Sequence, residues 1–186
     1  MKTSKILSVA LVAFTMLTGS ASFAQKTKMV GGAAMYPNKN IIENAVNSKD
    51  HTTLVAAVKA AGLVETLQGK GPFTVFAPTN AAFDKLPKGT VETLVKPENK
   101  KMLTNILTYH VVAGKWSAAD VMAGIKKGNG TYTAKTVQGG TLTFKMDGKD
   151  VWVIDEKGGK AKITIADVNQ SNGVIHVIDT VLMPKS

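Results

Sequence analysis

Apolar positions along the chain follow two different repeats. Between Asn40 and about Gly124 they recur at helical spacing, and beyond Gly124 the repeat shortens to two. Asp50 reads as a cap for a helix that carries Leu54, Val55, Val58 and Ala61 on one face and stops at Gly62. Pro97 suits the first position of a second helix with Met102, Leu103, Ile106, Leu107 and His110 at helical spacing, and Ser117 to Asp120 form a capping box for a third, ending near Gly124. In the second half Leu142, Phe144 and Met146 alternate with polar residues, and Asp147-Gly148 turns the chain into Val151 to Ile154. Strands are also predicted over 163–168 and 174–178, joined by an Asn172-Gly173 turn. The pattern predicts a single α+β domain in which strand 73–76 joins the antiparallel sheet from the helical half.

The stretch TVFAPTNAAF, 74–83, runs from a strand into a helix with three residues between. Pro78 keeps Ala77 extended, Thr79 is placed to cap a helix starting at Asn80, and Pro78 and Phe83 flank the cap as a hydrophobic staple. Each residue has a structural task, so this corner reads as scaffold. No nucleophile motif such as G-x-S-x-G occurs here or elsewhere.

Residues 1–24 read as a secretory signal peptide, with Lys2 and Lys5 ahead of an apolar run from Ile6 to Leu17 and a small-x-small site at Ser22-Phe23-Ala24. That run is too short to span a bilayer, and no transmembrane segment is expected after cleavage. Residues 25–39, rich in Gly, Ala and Lys, lack a sustained period and read as a leader with room for partial order; 40–184 is the domain. Export without a single Cys fits a periplasmic or secreted bacterial product large enough to fold without disulfides.

The formal charge is +10, and loss of Lys2 and Lys5 leaves +8. All 23 basic residues are Lys. Arg is the residue suited to bidentate recognition of phosphates and base edges, so specific nucleic-acid binding is not expected. A solubilising surface with diffuse attraction for anionic polymers is. His51, His110 and His176 are too far apart in sequence for a metal motif and read as structural, His176 as a neutral imidazole bonded to backbone on the face shared by Val174 and Ile178. The glycine pairs read as turns. The methionines, Met102, Met122 and Met146 among them, stand mostly at core-like spacing. No catalytic residue, metal site or cofactor site is identified.

TVFAPTNAAF, Tyr109-His110 at the end of the long helix, and SNGVIHVIDTVLMP (171–184) have the order and spacing of motifs in the fasciclin domain, which the chain resembles from about Asn40 to Pro184. The resemblance implies a wedge-like antiparallel β-sandwich flanked by helices from the N-terminal half, an extracytoplasmic location, and adhesion or matrix association without catalysis. Its expected partners are an envelope or matrix protein or an anionic polysaccharide. Carotenoid binding by some members implies the alternative of a carrier for an apolar ligand. Asn80 stands where the family usually has Asp, and Ser171 where it has Thr. The Asp-Ile pair linked to integrin binding in animal members is Asp167-Val168 here, and an integrin is not expected to meet a protein with a bacterial-type signal. The resemblance makes Tyr109, His110, Asp167 and Val168 the candidate partner-binding residues.

Overall fold

The computed structural model describes residues 27–185, so the expected signal peptide lies outside the described residues. The chain opens with a hairpin of β1 (Lys28–Val30) and β2 (Ala33–Met35), followed by α1 (Ile41–Ala45), α2 (Thr52–Ala61) and α3 (Val64–Gln68). Strand β3 (Phe73–Pro78) leads into α4 (Asn80–Asp84), α5 (Thr90–Leu94) and α6 (Lys100–Tyr109). After β4 (Val111–Ala113) comes α7 (Ala118–Lys127), and then β5 (Thr131–Lys135), β6 (Thr141–Asp147), β7 (Asp150–Ile154), β8 (Lys160–Gln170) and β9 (Gly173–Ile178). The fold is α+β, with helices concentrated in the first half and strands in the second.

Seven strands form one sheet in the order β4-β3-β9-β8-β7-β6-β5. Every neighbouring pair is antiparallel except β3 with β9, which run parallel from Phe73 beside Gly173 to Pro78 beside Ile178. The sheet is therefore mixed, a departure from the antiparallel expectation. The long excursion between β3 and β9 makes it topologically accessible, since parallel neighbours require a crossover and cannot share a hairpin. A bridge from Val112 to Thr136 ties β4 to the end of β5, so the sheet curls almost closed and its two edges protect each other.

The central strands explain their own composition. On β3, Val75 and Ala77 face one apolar cluster with Leu54, Val58, Leu103 and Ile106 of the helices, while Phe76 faces a second with Phe144, Leu142 and Val121. Strand β9 divides in the same way, Ile175 and Val177 against Ile178. A strand buried on both faces has no polar side to alternate with, which is why TVFAP and VIHVI read as continuous apolar runs. Both cores rest on these two strands.

Several local expectations are refined by the structure. The Ser117–Asp120 capping box is present, but α7 continues past Gly124 to Lys127. Gly124 is there for a neighbour: a Cβ at this position would lie 2.6 Å from the Tyr132 ring. Asp50 does not cap α2; it lies in a 3-10 turn over Lys49–His51. The cap is supplied by Asn80, whose Oδ1 accepts from Thr53 N–H at 3.0 Å and whose Nδ2 donates to the Lys49 carbonyl at 2.8 Å. Met102 and Met146 are exposed, at 57% and 38%, Met102 in the first turn of α6 and Met146 near the open end of β6. The 25–39 segment contributes Val30 and Met35 to the first core, and Lys28 Nζ donates to the Ala166 carbonyl.

The TVFAPTN corner has its expected geometry. Thr79 Oγ1 accepts from Ala82 N–H at 3.2 Å, with Pro78 and Phe83 buried on either side. Thr79→Ala is expected to cost about 1 kcal/mol, the usual worth of such a cap. Urea midpoints for the two proteins measure it, and equal midpoints would show that the corner is held by the strand alone.

Candidate functional site

Tyr109 is the last residue of α6, where the helix delivers its side chain into the second core with no exposed surface. Its hydroxyl donates to the Thr141 carbonyl at 2.8 Å and accepts from Glu156 N–H at 3.1 Å, pinning the start of β6 to the turn after β7. Burial raises the phenol pKa to about 12, and the nearby carboxylates of Glu156 and Asp155 act in the same direction. His110, the next residue, turns toward the helical side. Its Nδ1–H donates to the Ile106 carbonyl at 2.8 Å, and its Nε2 accepts from Leu182 N–H at 3.0 Å. These partners fix the neutral tautomer, and burial lowers the pKa to about 4.

Asp167 and Val168 occupy an irregular stretch of β8, where pairing with β9 shifts register between Ile165 and Val168. Asp167 has φ 53°, a left-handed conformation that a bulge imposes on a side-chain-bearing residue. The bend aims its carboxylate at the start of α7, where Oδ1 accepts from Ala118 N–H at 2.7 Å. An acidic group at a helix N-terminus meets both an unpaired donor and the positive end of the dipole. Asp167 N–H is in turn directed at His176 Nδ1, at 3.3 Å, while His176 Nε2–H donates to the Trp116 carbonyl at 2.8 Å. Burial lowers the His176 pKa and keeps the ring neutral. Val168 is only 1% exposed.

The four candidate residues thus form two separate pairs with no hydrogen bond between them. Tyr109, His110 and Val168 point into the interior, and Asp167 is half-buried and engaged with α7. Their polar atoms hold elements of the fold in register.

Asn172 is the comparable residue that spacing alone did not single out. Its Oδ1 accepts from Ile41 N–H at 3.0 Å, and its Nδ2 donates to the Leu67 and Gly69 carbonyls, each at 2.8 Å. One side chain in the β8–β9 turn therefore joins the start of α1 to the end of α3. The only local signal was the Asn-Gly turn itself.

His51 lies in the first core, 3% exposed, with Nδ1 2.8 Å from Ser48 Oγ. Its Nε2 has no hydrogen-bond partner among the described residues. Burial lowers its pKa, against smaller opposing effects of the Ala77 backbone and Asp50; the Ala77 approach falls outside hydrogen-bond geometry. The ring borders an apolar cavity of about 70 Å³ between the β1–β2 hairpin, the helices and β3. Small-molecule sites occupy about 300–1,000 Å³, so a polyene would enter only if the helices parted. No group of three His, Cys, Asp or Glu side chains able to hold a metal ion occurs among the described residues.

The fasciclin domain model matches residues 49–184, which span all of the seven-stranded sheet, the second core and most of the first. The chain belongs to the fasciclin family. Its relatives include the Synechocystis protein sll1483, 48% identical over 94% of this chain and 96% of that one. The cell surface glycolipoprotein MPB83 of Mycobacterium bovis is 36% identical over 89% of this chain and 70% of its own length. Among solved structures, a FAS1 domain pair from the insect cell adhesion molecule fasciclin I superposes with a TM-score of 0.70 at 18% identity, covering 79% of this chain and 51% of the pair. That fasciclin neighbour shares the fold.

Proposed function

We propose that this fasciclin domain is an exported, non-catalytic adhesion protein that holds to acidic polymers or proteins of the cell envelope or extracellular matrix. The observation that carries the reading is its basic surface: +8 after signal cleavage, supplied entirely by Lys, on a domain whose histidines and candidate tyrosine are engaged inside. Lys is a hydrated point charge on a flexible stem, suited to diffuse attraction for carboxylate-rich surfaces. Surface residence of a relative, the M. bovis glycolipoprotein, supports a periplasmic or secreted location, and no described helix is long and apolar enough to cross a membrane.

The reading is tested by co-sedimentation of the mature protein with envelope fragments of its own source over a salt series. Binding is expected at low salt and should weaken at least about tenfold as the screening length shortens from roughly 30 Å to roughly 3 Å. Failure to sediment at any salt concentration would remove the proposal.

A further inference from the structure

The outer face of β5–β8 differs from the inner. Leu142, Phe144, Val153, Ala134 and Ala161 are buried beneath this part of the sheet, so the residues between them point to the opposite side. The outward positions are mostly Thr and Lys; the exceptions are Asp147, Asp150, Ile154 and the largest of them, Trp152. Strand register places it directly between Lys145 on β6 and Lys162 on β8. The adjoining row is Thr143, Ile154 and Lys160. Neighbouring strands are about 4.8 Å apart, so the indole has a lysine stem on each side.

No structural task within the fold accounts for this tryptophan. Among the described residues it belongs to neither apolar cluster or its packed surroundings, and its Nε1–H is shielded but has no acceptor. Buried indole N–H groups ordinarily find one. The charge around it is also uneven. Lys162 pairs with Asp150 at 2.6 Å, whereas Lys135, Lys145 and Lys160 have no carboxylate partner among the described residues. The described helix packed nearest, α7, lies on the inner side with Val121 and Ile125 against Phe144.

We infer that this sheet face, centred on Trp152, is a binding site for an acidic polysaccharide, a deepening that rests on the adhesion reading above. The indole offers a flat apolar surface to the C–H face of a sugar ring, the flanking ammonium groups meet its carboxylates, and the threonine rows supply hydroxyls for its hydroxyls. Lysines arrayed along a sheet face, with no Arg in the chain, suit carboxylates spaced along a polymer better than the bidentate recognition of phosphate. Trp152 supplies the contact that salt does not screen, and the lysines supply the part that it does.

The experiment measures binding of the mature protein to alginate, a linear polyuronate, by titration calorimetry at low and high salt. Neutral dextran, polyglutamate and single-stranded DNA serve as controls. Wild type is expected to bind alginate in preference to all three. Trp152→Ala, with folding verified by circular dichroism, should lose at least about tenfold in affinity and all binding at high salt. Lys145→Glu, at an exposed position, should weaken binding mainly at low salt. Should Trp152→Ala not fold, Trp152→Phe and Lys145→Glu decide the matter: retained alginate binding by the first with weakening by the second supports the site, and unchanged affinity in Lys145→Glu overturns it. Wild-type affinity in a folded Trp152→Ala protein, no binding of wild type to alginate, or equal binding of polyglutamate or DNA also overturns it. The two readings fail separately: envelope binding that Trp152→Ala leaves unchanged removes only the sheet-face site, whereas alginate binding without envelope binding removes the adhesion reading.

Discussion

Tyr109→Ala is expected to remove about 4 kcal/mol of stability, because it combines the loss of a fully buried aromatic with two stranded backbone groups. Domains of this size are stable by roughly 5–15 kcal/mol, so the variant would retain only part of its margin. Tyr109→Phe separates the two contributions. It keeps the ring in the second core but leaves Glu156 N–H and the Thr141 carbonyl without their shared partner, at a cost of about 1–2 kcal/mol. Urea denaturation of the three proteins gives both values. A loss below about 1 kcal/mol for Tyr109→Ala would show that the second core closes around the gap. Any fall in adhesion by this variant has to be judged against its folded fraction, since the side chain presents no surface to a partner in the folded molecule.

Acidification from about pH 6.5 downward is expected to destabilise the protein. His110 has a pKa of about 4 when folded, against 6.5 for an ordinary histidine, because burial disfavours the imidazolium and Nε2 is already accepting from Leu182 N–H. Between those values the unfolded chain binds a proton that the folded chain refuses. Stability from this group is therefore complete above pH 6.5, declines as pH falls, and is lost below about pH 4. The full loss is on the order of 3 kcal/mol. His176 and His51 are shifted in the same direction by burial and steepen the decline. Urea midpoints of wild type and His110→Gln across this range provide the check. The variant should be less stable at neutral pH but show a shallower slope, and an unchanged slope would mean that His110 does not carry the linkage.

The same interior residues show how far the candidate site was legible. The fasciclin resemblance singled out Tyr109-His110 and Asp167-Val168 and gave them a partner-binding role. In the folded domain their polar groups are a phenol bonded to two backbone groups, an imidazole bonded to two more, and a carboxylate at a helix start. A motif reports that residue types are required together, whereas burial determines whether they face a partner or the core. Trp152 illustrates the converse. The period-two pattern in β6 and β7 contains the information that it faces outward, but without the strand register its neighbours Lys145 and Lys162 are merely two lysines elsewhere in the chain.

By itself the sequence determined the elements and their class: the stop of α2 at Gly62, the Ser117 capping box, the Thr79 cap and the hairpins of the second half all depend on residues within a few positions of one another. Such interactions leave a local signature because the chain can make them before it folds globally. Only the tertiary structure decided that β3 runs parallel to β9, that the β1–β2 hairpin seals the first core, that Asn80 caps a helix 27 residues earlier in the sequence, and that Asn172 bonds Ile41 across 131 residues. An asparagine amide has the same donors and acceptors whether its partner is adjacent or distant. The partner is selected by which backbone groups the packed helices and sheet leave unpaired beside it, and that is a property of the assembled fold.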